Sequence, residues 1–448
     1  MTRTVSAVSR RTRAEAGCAG VAAPAGDGST VTRPASTHAA VEAVWRIESA
    51  RLIAGLARFV GDVGLAEELA QDALVAALEQ WPAEGVPANP GGWLMSTAKH
   101  RAIDQLRRRQ NYQRKLAEVG RMLEHQPSGD PDPDDYLPDD LLRLVFIACH
   151  PVLRTEGRVA LTLRLLGGLS TAEIARAFLV PEPTVGQRIS RAKRTLREQD
   201  VPFELPPPAD LPARLASVLE VVYLVFNEGY TATAGADWTR PELCADALRL
   251  ARLLAGLLPD QPEVHGLLAL LEIQASRLPA RTGPDGAPVL LPDQDRRRWD
   301  RLLVRRGVAA LDRVRTLGGD FGPYALQAAI AAVHARAVTA DETDWRRIAA
   351  LYRVLVEVSP SPVAELNRAV AVGRADGPAA GLAIADALRA EPALARYPHL
   401  PAVRGDLLAR LGRTEEARIE FTRAATLTAN ARERELFLAR AQRPLPEW

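Results

Sequence analysis

Ser170-Thr-Ala-Glu-Ile-Ala-Arg-Ala-Phe-Leu-Val-Pro-Glu-Pro-Thr-Val-Gly-Gln-Arg-Ile-Ser-Arg-Ala-Lys-Arg-Thr-Leu-Arg197 reads as two helical stretches separated by a turn. Ser170, with Glu173 three residues on, makes a capping box that starts the first stretch, and Ala175 is small where a second helix should cross it. Pro181 ends the turn, and Pro183 presets φ at the start of the second stretch, where its missing N–H is not needed. Val185, Ile189, Ala192 and Leu196 then recur at core spacing. Thr184, Gln187, Arg188, Arg191, Lys193 and Arg194 are left to offer donors to base edges and phosphates. A charged helix on the surface of a plain bundle has the same periodicity. Cap, turn and basic bias together favour a helix-turn-helix that reads duplex DNA.

A second arginine-rich segment, Lys99 to Lys115, lies upstream, and Glu118, Glu124, Asp130, Asp132, Asp134, Asp135, Asp139 and Asp140 collect between the two. The formal net charge of +2 therefore hides opposed local fields. At 448 residues the chain exceeds one ordinary core, and about 150 residues per domain suggests roughly three. Hydrophobic content of 47% and charged content of 25% are globular, whereas aromatics at 5% are few and Ala, Leu and Arg dominate. An all-α protein is expected. Cys18, Cys149 and Cys244 are isolated, so neither a disulfide framework nor a zinc site follows, and no cofactor is expected. No apolar run approaches the ~18 residues of a membrane span, so the chain reads as soluble and cytoplasmic, without a membrane partner.

Working outward, residues 1–40 lack apolar periodicity and are expected to form a disordered tail, or else a weak basic arm on DNA. Residues 41–110 read as a compact helical domain: Val44 to Val60, Leu65 to Trp81, a Pro/Gly/Asn loop from Pro82 to Gly92, then Trp93 to Arg109, with Trp93 and Ile103 in the core. Residues 111–136 read as a flexible acidic linker, residues 137–200 as the helix-turn-helix unit, and Pro206, Pro207 and Pro208 mark the next boundary. From 210 to 448 the spacing Gly405, Leu408, Ala417, Phe421, Ala424 is that of a tetratricopeptide unit, in which small residues let two helices touch. Ala247, Ala251, Leu254, Pro259 and Ala380, Ile384, Ala387, Pro392 repeat its second half. A TPR-like solenoid is expected, with an Ala-rich bundle as the alternative.

The stretch Leu169 to Arg194 resembles region 4 of an extracytoplasmic-function (ECF) sigma factor of the sigma-70 family. Asn89-Pro-Gly-Gly-Trp-Leu-Met-Ser-Thr-Ala-Lys-His-Arg-Ala-Ile-Asp-Gln-Leu-Arg-Arg108 resembles regions 2.3 and 2.4, and Ala66-Glu-Glu-Leu-Ala-Gln-Asp-Ala-Leu74 resembles region 2.2. The resemblance implies that Thr184, Gln187, Arg188, Arg191, Lys193 and Arg194 read the −35 duplex. It implies that Lys99, Arg101, Arg107 and Arg108 pair with phosphates near the −10 element, that His100 reaches a base, and that the Pro82 to Gly92 loop captures an unstacked base. An exposed face carrying Glu67, Glu68, Gln71 and Asp72 would dock the β′ clamp helices of core RNA polymerase, with the β flap as a further contact. Two departures stand out. His100 replaces the usual Asn, so the bidentate amide contact to adenine is lost, and Leu179 and Pro183 occupy turn positions that are often Gly.

Ordinary members of that family stop soon after the second basic helix. The long extension here, with Val222-Tyr-Leu-Val-Phe-Asn-Glu-Gly-Tyr-Thr-Ala-Thr233 and Leu290-Leu-Pro-Asp-Gln-Asp-Arg-Arg-Arg-Trp-Asp300, resembles the subgroup fused to a TPR-like C-terminal region. The extension would contact the sigma domains and regulate them in cis, so truncation after about residue 205 should change activity. Asn227, Glu228 and Tyr230, and likewise Asp293, Asp295, Arg296 and Trp299, are polar clusters amid apolar helices, open to a ligand, a docking or a structural reading. No catalytic triad, phosphate loop or metal spacing is present, so no enzyme is expected. The rival function is a helix-turn-helix regulator with a TPR-like sensor that works without core polymerase.

Overall fold

The computed structural model describes residues 34–117, 138–319 and 321–442, and the chain is helical almost throughout them. The first group is α1 (Pro34–Val60), α2 (Val63–Glu84) and α3 (Pro90–Ala117). The second is α4 (Pro138–Ala148), α5 (Thr155–Leu165), α6 (Thr171–Phe178) and α7 (Glu182–Glu198). The extension supplies α8 (Leu211–Tyr230), α9 (Pro241–Leu257), α10 (Pro262–Ala275), α11 (Arg301–Thr316), α12 (Pro323–Arg336) and α13 (Trp345–Val358). It ends with α14 (Pro362–Ala375), α15 (Pro378–Ala387), α16 (His399–Arg410), α17 (Thr414–Leu427) and α18 (Ala431–Gln442).

Several boundaries differ from the sequence reading. Helix α1 begins at Pro34, so the expected tail loses its last seven residues to a helix that Pro opens at no hydrogen-bond cost. Helix α2 runs through Pro82 to Glu84 even though Pro82 has no N–H to donate to the carbonyl one turn back, and Gly85 at φ 86° makes the stop. The expected loop of 82–92 therefore shrinks to residues 85–89, with Pro90 opening α3. Helix α3 continues past Gln110 to Ala117, taking the first residues expected of the linker. The acidic run from Glu118 to Asp135 lies outside the described residues.

The sigma regions and the start of the extension share a core. One apolar core runs from Leu52 and Leu56 of α1, through Ala66 and Leu69 of α2, to Phe146 and Ile147 of α4, Leu161 of α5, and Val221 and Phe226 of α8. Leu250 and Leu254 of α9 belong to it too. Helix α4 is apolar around almost its whole circumference, so it has to be covered on all sides. It packs against α1, α5, α8 and α9. Its Asp140, in the first turn where the helix dipole favours an acid, pairs with Arg58 of α1 at 3.3 Å and Arg143 at 2.6 Å.

In the extension, successive helices pack against one another, most across short turns, with the longer segment 276–300 joining α10 to α11. Glycines set the closest approaches. A Cβ on Gly381 would lie 2.5 Å from the Ala369 carbonyl of α14, and one on Gly405 would lie 3.0 Å from the Phe421 ring of α17. Ala417, Phe421 and Ala424 are buried as the repeat spacing expects. In α15 the buried residues are Gly381, Leu382 and Ala385, whereas Ala380 and Ile384 are half-buried and Ala387 is exposed, because Gly381 is the point of contact with α14.

A solenoid leaves its two ends apart. Here they meet. The two-residue strands β1 (Ala234–Gly235) and β2 (Ala429–Asn430) pair in parallel, and Asn430 Nδ2 donates to the Ala232 and Asp237 carbonyls at 2.9 and 2.8 Å. The extension is thereby closed into a ring.

Gly381→Ala should destabilise the chain by about 1–3 kcal/mol, since overpacking against a backbone carbonyl outweighs the better helix propensity of Ala. Gly186→Ala in α7, with open space around the added Cβ, should be neutral or stabilising by up to about 1 kcal/mol. Urea unfolding of the two full-length variants checks the opposite signs.

Candidate nucleic-acid interface

The helix-turn-helix is built as its residues dictate. Ser170 Oγ accepts the Glu173 amide at 3.1 Å and Glu173 Oε2 accepts the Ser170 amide at 2.7 Å, so the capping box is complete. Burial pushes the Glu173 carboxyl up, but the Ser170 amide and hydroxyl and Arg46 of α1 hold it below the ordinary range. Leu179 ends α6 in the left-handed region at φ 50°, the conformation for which glycine is the usual choice. Its side chain lies against Gly235 of the extension, where a Cβ would come within 2.5 Å of Leu179 Cδ1.

Val185, Ile189, Ala192 and Leu196 of α7 are buried. Gln187, Arg191 and Arg194 are exposed, whereas Thr184, Arg188 and Lys193 are half-buried. On α3, Asn89 Oδ1 accepts the Gly92 amide at 2.9 Å and starts the helix. His100 and Arg107 are exposed, Lys99 and Arg101 are half-buried, and Arg108 lies on the same helix with its side chain outside the described ones. Trp93 is half-buried and meets Trp81 edge to face at 5.4 Å between ring centroids; Ile103 is half-buried as well.

The face of α2 departs from expectation. Glu68 and Asp72 are exposed, but Glu67 is only 3% exposed. Its carboxylate accepts from Arg164 Nε of α5 at 2.7 Å and pairs with Lys193 of α7. Gln71, half-buried, donates to the same carboxylate. Arg197 of α7 donates to Asp62, the N-cap of α2, at 2.7 Å. Burial would raise the Asp62 carboxyl, yet Arg197 and the Leu65 and Gly64 amides hold it below its ordinary value. Arg101 donates to the Asp72 carbonyl at 2.7 Å, with its guanidinium 3.8 Å from the Asp72 carboxylate. Thus Glu67 and Lys193, expected to face two different partners, face each other, and so do Asp72 and Arg101. Sequence spacing carries no sign of this, because each pair joins two different helices, consecutive ones for Asp72 and Arg101 and remote ones for Glu67 and Lys193.

The extension grips the helix-turn-helix from behind. Arg240 donates to the Ala177 carbonyl at 2.6 Å, and Arg249 to the Leu166 and Gly167 carbonyls at 3.2 and 3.0 Å. These guanidiniums sit at the C-terminal ends of α6 and α5, where helix dipoles favour cations and the last carbonyls lack intrahelical partners. Arg158 of α5 pairs with Glu220 of α8 at 3.0 Å.

Of the two polar clusters, the second is structural. Arg296 donates to the His334 and Ala337 carbonyls at 2.8 and 2.7 Å, Trp299 is buried beside it, and the exposed Asp295 pairs with Arg297. Burial pushes the Cys149 thiol up to about 11 and the Cys244 thiol to about 12, so neither is a thiolate at neutral pH. Among the described residues no group of His, Cys, Asp and Glu could hold a metal ion, and no helix is long and apolar enough to cross a membrane.

Comparison with known proteins agrees with this architecture. Residues 47–112 match the family Sigma-70 region 2, residues 143–196 match Sigma-70, region 4, and residues 214–315 match a family of unknown function, DUF6596. An uncharacterized protein of Rhizobium meliloti (strain 1021) is 44% identical over 382 residues, covering 84% of this chain and 89% of its own. The probable RNA polymerase sigma-C factor of Mycobacterium bovis is 29% identical over 147 residues, 33% of this chain and 76% of its own. The probable ECF RNA polymerase sigma factor SigI of Mycobacterium tuberculosis is 26% identical over 174 residues, 38% of this chain and 59% of its own. With a sigma region 2 fold, a capped sigma region 4 helix-turn-helix and these relatives, the chain belongs to the ECF sigma factors of the sigma-70 family.

Proposed function

We propose that this sigma factor binds core RNA polymerase through α2, opens promoter DNA through α3 and the loop before it, and reads the −35 duplex through α7. Catalysis belongs to the polymerase; this subunit supplies positioning by phosphate and base contacts. The observation that carries the reading is the outward row Gln187, Arg191 and Arg194 on the capped second helix of a helix-turn-helix, in a chain that also holds region 2. A regulator acting without polymerase has no use for that region. The −10 contacts fall to Lys99, His100, Arg101, Arg107 and Arg108, and polymerase docking to Glu67, Glu68, Gln71 and Asp72.

The form described here is closed. Glu67 and Lys193 cannot serve polymerase and DNA while each neutralises the other. Such a clasp is easily exchanged: a buried ion cluster gains little net stability, because the attraction is offset by desolvation, but it selects one geometry. Engagement by polymerase would replace Arg164 and Lys193 around Glu67 and release α7 to the −35 element. The extension, holding region 4 through Arg240 and Arg249, would set how readily that release occurs. Cutting the chain after about residue 205 would strip α8 and α9 from a core they share with α4 and α5, so single interface substitutions test regulation more cleanly than truncation.

In runoff transcription with core polymerase, the full-length chain should direct initiation at its own promoter; failure on every promoter tried would overturn the reading. Replacing both Arg191 and Arg194 by Ala should weaken binding to −35 duplex by roughly tenfold or more and reduce the salt slope of binding by about 2, one phosphate contact each. Unchanged salt dependence would remove them from the interface. The double variant Arg164→Gln, Arg197→Gln should bind core polymerase several-fold more tightly, because it loosens the clasp while leaving Glu67 in place. Pull-down titration measures this, and weaker binding would show that the clasp assists docking instead of opposing it.

A further inference from the structure

A cavity of about 880 Å³ lies where the ring of the extension closes over the helix-turn-helix, within the size range of ligand sites. Phe178, Val185 and Arg188 line it from the helix-turn-helix. Tyr230, Trp238 and Arg281 line it from the start of the extension, and Tyr397, His399 and Glu433 from its end. The first polar cluster, Asn227, Glu228 and Tyr230, belongs to this wall. Three distant parts of the chain thus meet around one space.

The charges in this wall are unevenly satisfied. Glu228 is held by Arg240 and the Thr233 hydroxyl, and Glu433 by the Thr428 hydroxyl with His399 at 3.6 Å, while the third lining carboxylate, Glu156, is exposed to solvent. Arg281 differs. It is 9% exposed, its guanidinium stacks 3.7 Å from the Tyr230 ring centroid and 5.4 Å from that of Trp238, and Nη2 donates to the Tyr230 carbonyl and Thr231 hydroxyl at 2.9 Å. Its Nε and the Trp238 indole N–H are buried without acceptors. Among the described residues no carboxylate pairs with Arg281 or with Arg188. A buried guanidinium without a counter-ion, fixed on aromatic faces at the wall of an otherwise largely apolar cavity, is arranged for an acceptor that arrives from outside.

We propose that this cavity binds a small amphipathic anion, an aromatic or aliphatic body bearing a carboxylate or sulfonate-like group that pairs with Arg281 and faces Arg188. The body would lie against Tyr230, Trp238, Phe178 and Tyr397. Because Phe178, Val185 and Arg188 are part of the helix-turn-helix, the occupied cavity ties region 4 to the extension. That consequence rests on the initiation reading; the binding does not.

The test uses the full-length chain alone. 8-Anilino-1-naphthalenesulfonate should bind saturably near one equivalent and be displaced by indole-3-acetate but not by its neutral alcohol analogue, tryptophol. Arg281→Met should weaken dye binding roughly tenfold or more, the scale of one charge-assisted hydrogen bond, while Arg281→Lys retains most of it. Leu224→Trp, which enlarges a partly exposed lining residue into the space, should abolish binding with helicity and melting temperature unchanged. Non-saturating uptake, equal displacement by tryptophol, or full dye binding in Leu224→Trp would overturn the proposal. A chain that binds the anions yet never supports initiation would sink the functional reading and leave this one standing.

Discussion

Burial of α4 is the constraint from which the rest of the molecule follows. Leu141, Leu142, Leu144, Val145, Phe146 and Ile147 leave that short helix only the half-buried Arg143 toward solvent beyond its first turn. A helix apolar all round is stable in water only when neighbours cover every side. Region 2 supplies α1, region 4 supplies α5, and the extension supplies α8 and α9. Once α4 is covered in this way, the sigma regions cannot be independent beads on a string, and the extension cannot be an appendage. Ser217 Oγ donating to the Cys149 carbonyl at 2.7 Å, and Arg214 donating to the Phe146 carbonyl at 2.9 Å, tie α8 to the end of α4, where backbone acceptors would otherwise be buried without partners.

The closed arrangement of charges follows from that packing. With α1 and α4 locked together, α2 comes within side-chain reach of α5 and α7, and Glu67 is carried out of water. An ionised carboxylate there needs partners, and Arg164 and Lys193 are within reach. The same residues that polymerase and DNA would want are thereby the ones that hold the closed form. Recognition and restraint draw on a single set of charges, so neither interface becomes available without disturbing the other.

The ring of the extension adds a second restraint of a different kind. Arg240 reaches the end of α6, bridges to the Ala234 carbonyl of β1 at 2.8 Å, and pairs with Glu228. Helix-turn-helix, ring closure and cavity wall therefore share one guanidinium. Leu179, held in a left-handed conformation unusual for its type, rests on the same closure strand. A turn that would ordinarily take glycine for local reasons carries leucine here, and the contact with Gly235 is what the leucine side chain adds.

Much of this was legible in the sequence. Local chemistry determined the helices, the Ser170–Glu173 cap, the buried stripe of α7 and the basic outward row, because each depends on residues within a turn or two of one another. The family resemblance placed regions 2 and 4 in order. Helix ends near Pro82 and Gln110 were misplaced, since α2 continues past Pro82 despite the bond that proline cannot donate, and a basic, polar helix carries no apolar stripe to mark where it stops. The apolar circumference of α4 signalled burial without saying against what. That Glu67 meets Lys193, that β1 meets β2 and that Arg281 is buried beside a cavity were decided only by tertiary structure. Those contacts join residues from 126 to 195 positions apart or depend on several remote segments at once, and no local periodicity encodes a distance across the fold.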